Sequence, residues 1–231
     1  MLMKRDRDER GPTDAGWLKS FHSFSFGHYM DPQYMGFGPL RVINEDRVIP
    51  GAGFSTHAHH DMEIISYVLD GELAHKDSMG NGSVIRPGDV QLMSAGSGVT
   101  HSEFNHSQEN KVHFLQIWII PNVQDSEPGY QQKSFDLAGH RNRLNLIISE
   151  NGAGASLVIK QNAKVYAGRF DEGAQITHAC VPQRGYWVQI ARGMMEVNGQ
   201  AAHEGDGFAV THEDSITLKA LTESEALVFE L

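Results

Sequence analysis

The chain has 231 residues, of which 40% are hydrophobic, and a formal net charge of −10; that is enough apolar material for one large core or two smaller ones, and it excludes a disordered or fibrous chain. The acidic balance argues against a nucleic-acid partner, which would need clustered Lys and Arg to displace counterions from phosphates, and the one basic cluster, residues 4–10, is broken by Asp6, Asp8 and Glu9 into an expected solvated arm. A single cysteine, Cys180, leaves no intrachain disulfide framework, and no apolar leader or bilayer-length apolar run is visible, so a cytoplasmic chain without a membrane partner is expected.

Helical periodicity is nearly absent along the chain. The first aromatic group, Phe21, Phe24, Phe26 and Tyr29, reads as packing. Short β-rich runs follow at 40–44, 63–69, 72–76, 90–93, 101–104 and 112–120. Between the first two stand His57 and His59, and about forty positions on stand His101 and Glu103, each pair one residue apart in a strand-like segment. Successive strand side chains point to opposite faces, so residues two apart share a face at roughly 6.6–6.8 Å and can aim both ligands into one space. Imidazoles and a carboxylate in a β-fold suit one divalent transition metal: Fe(II) is favoured, with Mn, Ni, Co, Cu or Zn also acceptable. Glu63 has the strand parity of His57 and His59 if no bulge intervenes, whereas His60 has the opposite parity and is expected to point away.

Asp70-Gly71 is read as a type I′ hairpin turn, and 78–82 and Pro87-Gly88-Asp89 as further turns. His75, His106 and His113 lack paired spacing and receive no role. Met62, Met79, Met93, Met194 and Met195 read as packing residues, Met93 as a candidate pocket wall. Many short strands with regular turns imply a sandwich or barrel with a pocket at its mouth. Residues 123–138 are more polar, contain Pro128-Gly129 and are taken as a linker between domains at 1–122 and 139–231.

After the linker the same grammar resumes, with runs at 186–191, 194–197, 208–210, 216–218 and 226–231. Thr56-His57-Ala58-His59 is echoed by Thr177-His178-Ala179-Cys180, Gly71 by Gly193, and Gly88-Asp89 by Gly205-Asp206, an order of signals that suggests an internal duplication. The position equivalent to His101 falls near 216–218, where no ligand stands, so the second copy is expected to lack a metal. His178 and Cys180, with His203 or His212, are assigned packing or surface roles rather than a zinc site.

Gly51, His57, His59, Glu63 and Gly71 follow the first cupin motif with one extra residue in the last spacing, and Gly88-Asp89 through Gly98, His101 and Asn105 resembles the second, with Gly96 where proline is common. More narrowly, Ser23-Phe24-Ser25-Phe26-Gly27-His28-Tyr29 with Asp31-Pro32, then Leu40-Arg41-Val42-Ile43-Asn44, Met93-Ser94-Ala95-Gly96 and His101-Ser102-Glu103 resemble the pirin family, particularly the bacterial pirin-like quercetinases. The resemblance is detailed over 17–118 and looser beyond. It implies an all-β bicupin of two antiparallel jelly-roll barrels packed face to face, with a metal in the first barrel held by His57, His59, His101 and Glu103. Glu63 is then expected beside the ligands rather than among them, since two carboxylates on one divalent ion would neutralise it and disfavour binding of a further anion.

The implied activity is cleavage of a flavonol such as quercetin by O2, with Glu103 also a candidate general base and a flavonol or catechol as the substrate class. A different class is implied by the family's redox-responsive regulators: a module that binds a protein partner through a metal-shaped surface. Another metal-dependent cupin enzyme, an isomerase or hydrolase, is the third reading.

Overall fold

A computed structural model describes residues 1–231. The chain is all-β, with strands throughout and helical structure limited to two short 3-10 turns, Arg7–Glu9 and Ala153–Ala155. It forms a bicupin of two compact units, each built from one seven-stranded and one four-stranded sheet.

The first unit comprises Gly11–Phe135 and Ile159–Gln161. In its large sheet the strand Glu63–Asp70 pairs with Asp89–Ser94 on one side and Val112–Ile119 on the other, and Leu40–Val48, Leu18–His22 and Gly11–Asp14 follow outward. Its small sheet runs Gly53–His59, Val99–Asn105, Leu73–Asp77, Gly82–Ile85.

Inward-facing side chains of the large sheet change character along each strand. Ile64, Ser66 and Val68 alternate with outward residues on one strand, and Phe114, Gln116 and Trp118 do so on its neighbour. The apolar ends join two clusters: Leu18, Val48, Val68, Leu73, Ile85, Val112 and Phe114 form one, and Ile64, Met93, Ala95 and Val99 form the other, with Trp118 against it. The polar middle cannot be buried without partners, and those partners come from the small sheet, as described below.

The second unit comprises Met1–Arg10, Asp136–Val158 and Asn162–Leu231. Its large sheet repeats the first unit's order, with Gly207–Val210, Tyr186–Arg192, Ser224–Glu230 and Lys164–Phe170 in the places of Asp89–Ser94, Glu63–Asp70, Val112–Ile119 and Leu40–Val48. Its small sheet, Gln175–Ala179, Ser215–Ala220, Met194–Val197, Gln200–His203, repeats the other. The duplication anticipated from the order of glycine signals is therefore a duplication of topology.

Several boundaries differ from the expectation. The arm expected at residues 4–10 is solvated only at Arg7–Glu9 and groups with the second unit: Leu2–Arg5 pairs with Gly207–Val210, the chemistry of an extended segment completing an open sheet edge. The expected linker contains a strand, Gly129–Ser134, which pairs with Asp89–Ser94. Its polarity reflects an edge position with half-buried side chains.

Asp70-Gly71 is not a hairpin turn. Only Gly71 has positive φ (+78°), and the chain there leaves the large sheet and enters the small one, since Leu73–Asp77 pairs with Val99–Asn105 and Gly82–Ile85. Asn198-Gly199, with φ of 47° and 79°, is the two-residue turn of this kind, joining Met194–Val197 to Gln200–His203. Met93 is fully buried in the apolar cluster rather than lining a pocket, and Met79 and Met194 are exposed.

Candidate metal centre

Val99–Asn105 is a two-faced strand: Val99, His101, Glu103 and Asn105 are buried while Thr100 and Phe104 are exposed. His57 pairs directly across from His101 on the adjacent strand, and a register shift between His101 and Glu103 opposes Glu103 to Phe54. Local alternation and pairing thus bring His57, His59 and His101 to one face.

The Nε2 of His101 lies 3.0 Å from the Nε2 of His57 and 3.0 Å from the Nε2 of His59. His57 donates its Nδ1–H to the carbonyl of Ser55 at 2.8 Å, which leaves its Nε2 as a lone pair aimed at the cluster. Burial, followed by repulsion from His101 and His57, pushes His59 down to about 4. Burial, His57 and His75 push His101 down to about 3. Both rings are neutral at pH 7, so each has a nitrogen lone pair that it can turn toward the same point. That donor set fits a divalent transition metal.

Glu103 is 2% exposed and is met by the polar middle of the large sheet. Ser66 Oγ donates to its Oε1 at 2.9 Å and Gln116 Nε2 to its Oε2 at 2.6 Å. Each oxygen retains a lone pair. Glu103 is close enough to form a second group of potential ligand atoms with His75 and His101, all within 4.8 Å of one another.

Glu63 takes no part in this cluster. Its Oε2 accepts from Ser94 Oγ at 2.9 Å and from the Lys160 backbone N–H at 3.2 Å, and burial pushes its carboxyl up. The parity argument fails because Gly53–His59 and Glu63–Asp70 belong to different sheets, separated by a turn with Asp61 at φ 45°. His60 is exposed as expected and contacts Asp61 and Asp125.

A cavity of about 190 Å³ reaches the cluster and is lined by His57, His59 and Glu103. Its aromatic walls are Phe26, Phe54 and Trp118, the last set edge-on against both His59 and Phe26. Phe26 therefore faces the site instead of serving only as packing. The cavity is also lined by His22, Asn44 and Asp46. His22 lies 2.7 Å from Asn44 Oδ1 and 2.8 Å from Thr13 Oγ1. Burial pushes the Asp46 carboxyl up to about 7, opposed by a hydrogen bond from Ser20 and reinforced by Glu103 and Glu45. Asn44 and Asp46 stand two apart on Leu40–Val48 and His22 on Leu18–His22, strands that precede the histidine motifs in the chain and carry no metal-binding pattern of their own.

In the second unit the register places Ile216 across from His178, as His101 stands across from His57. Ile216 and Leu218 are buried with Val188, Phe208 and Val228 in one apolar cluster. The donor set is absent there, replaced by hydrocarbon.

Comparison with known proteins covers both halves of the chain. The pirin family model matches residues 4–119, and a model described as the quercetinase C-terminal cupin domain matches residues 146–231. The chain is 41% identical over its whole length to a quercetin 2,3-dioxygenase of Escherichia coli, covering 99% of that protein. It is 37% identical to a pirin-like protein of Caulobacter vibrioides, covering 100% of this chain and 99% of that one. The crystal structure of the bacterial pirin YhhW from Escherichia coli in complex with nickel(II) superposes with a TM-score of 0.95 at 40% identity, covering 100% of this chain and 99% of that one.

Proposed function

The chain belongs to the pirin family of cupin proteins, and we propose that it is a metal-dependent dioxygenase that opens the central ring of a flavonol such as quercetin with O2, releasing carbon monoxide. The observation that carries this reading is the cavity leading to the histidine cluster: a regulator needs no such passage, whereas an enzyme must admit substrate to the ligands. The nickel-bound YhhW and the relative named as a quercetin 2,3-dioxygenase support it.

His57, His59, His101 and Glu103 would hold the ion, which when bound supplies a Lewis acid for a phenolic oxygen and open positions for further ligands. The rest falls to the protein. Phe26, Phe54 and Trp118 present aromatic walls, and a cavity of about 190 Å³ takes one ring, since a cavity of roughly 150 Å³ holds benzene; the remainder of a flavonol would extend through the mouth. Glu103 accepts the flavonol hydroxyl proton on a lone pair not used by Ser66 or Gln116, leaving the ring electron-rich. Those two donors fix the carboxylate so that it cannot swing away with the proton's arrival.

Oxygen uptake and carbon monoxide release, measured with quercetin after loading with Fe(II), Ni(II), Mn(II), Co(II), Cu(II) or Zn(II), tests the reading. Turnover with at least one ion, abolished in His101→Ala, is expected. Absence of uptake with every ion, or equal uptake by His101→Ala, refutes it.

A further inference from the structure

His101 differs from His57 in one respect: its Nδ1 is buried and has no hydrogen-bond partner, whereas the Nδ1 of His57 is held by Ser55. A ligand imidazole offers one nitrogen to the metal and carries its proton on the other, so a buried Nδ1–H without an acceptor costs free energy and leaves the ring free to take the wrong tautomer.

The missing acceptor stands on the neighbouring strand. Leu73–Asp77 pairs with Val99–Asn105 so that Asp77 lies across from His101 and His75 across from Glu103. His75 and Asp77 both face inward, with side chains that are 0% exposed. Asp77 Oδ2 lies 3.0 Å from His75 Nε2. The carboxylate also accepts from the backbone N–H groups of Met79 and Asn81 at 2.9 and 3.0 Å, and from the Asn81 amide. An acceptor so placed dictates that His75 carries its proton on Nε2. Its Nδ1 is then a lone pair, and that atom too is buried without a partner.

The two orphans are complementary: a donor on His101 and an acceptor on His75. Their ring centroids are 5.3 Å apart, and the two residues offer ligand atoms within 4.8 Å of each other. At that ring separation a bridging water or a turn of either ring would join the two Nδ1 atoms. His75 is held in place by stacking on Tyr130 at 4.8 Å.

We infer that Asp77, His75 and His101 form a buried hydrogen-bonded chain in which Asp77 fixes the tautomer of His75 and His75 fixes that of His101, making His75 and Asp77 positioning residues for the metal centre. The inference rests on His101 being a ligand. It does not depend on which substrate the site takes.

The test is nitrogen-15 and proton NMR of the full-length, histidine-labelled protein titrated with zinc(II), with zinc affinity measured by chelator competition. In the wild type, zinc should shift His101 Nε2 and reveal a slowly exchanging, downfield Nδ1–H. His75→Phe, which keeps the stack on Tyr130, should lose that signal and weaken zinc binding about 10–100-fold. His75→Gln, whose amide oxygen can accept, should recover affinity to within a few-fold, a rescue that a packing role alone would not give. Asp77→Asn should fall between and serves should His75→Phe fail to fold.

A zinc-shifted His101 without a protected Nδ1–H overturns the chain, as does a folded His75→Phe that binds zinc as tightly as wild type. Zinc that leaves His101 unshifted overturns both the chain and the ligand assignment. A protein that passes these tests but consumes no oxygen with flavonols refutes the dioxygenase reading alone.

Discussion

Glu103 is asked to be a ligand, an acceptor for two buried donors and a base, and these roles compete for four lone-pair sites. Removing one donor is the sharpest probe. Gln116→Leu should keep the fold but leave the Glu103 carboxylate held by Ser66 alone, weakening metal affinity about tenfold, measurable by chelator competition. Asp46 makes a separate prediction through its raised pKa. Between the ordinary carboxylate range near pH 4 and about pH 7, the folded protein keeps the Asp46 proton that the unfolded chain has lost, so stability falls as pH rises through that window and levels off above it. Asp46→Asn should flatten this slope in the metal-free protein, with a gain on the order of 2–4 kcal/mol at pH 8. Thermal melts at pH 5 and pH 8 check it; equal slopes in both proteins would show that Asp46 titrates normally.

Two glycines with the same backbone sign do different work at the level of strands. At Gly71 the chain changes sheets, and an added Cβ would lie 2.6 Å from the Lys111 carbonyl at φ +78°. At Gly199, φ is +79° but nothing lies within 4 Å. Gly71→Ala should therefore cost about 2–4 kcal/mol and Gly199→Ala about 1 kcal/mol in urea unfolding, the difference being the steric clash beyond the shared backbone strain. The same contrast shows what the sequence conveys. The convergence of His57, His59 and His101 was legible because strand alternation encodes a shared face in spacing of two. Asp70-Gly71 was misread because the local turn signal does not say which sheet the next strand joins. Ser66 and Gln116 were illegible for a related reason: Ser66 reaches Glu103 from 37 positions away, and only the facing of two sheets makes them neighbours. His75 and Asp77 have the same spacing of two as His57 and His59, so the expectation that His75 lacks paired spacing is wrong: the signal stands in the sequence with an aspartate as its second member.

The second unit of the molecule is assembled from both ends of the chain. Leu2–Arg5 covers the edge of Gly207–Val210, and Lys4 Nζ lies 2.8 Å from Asp206, whose side chain is 0% exposed and also accepts from the Arg7 backbone N–H at 2.7 Å. Lys4→Ala should leave that carboxylate without its cation and cost about 2 kcal/mol. Deleting Met1–Arg10 should go further, with amide exchange in Gly207–Val210 rising sharply while Glu63–Asp70 stays protected, as hydrogen-exchange mass spectrometry would show. No helix is long and apolar enough to cross a membrane. The order of synthesis gives the arm a further significance. A ribosome adding roughly 5–20 residues per second makes this strand some ten to forty seconds before its pairing partner, so the nascent chain carries an unmatched β-strand over that interval. The first unit meanwhile has nearly all of its strands in hand, and any exposed sheet edge can compete for the waiting arm.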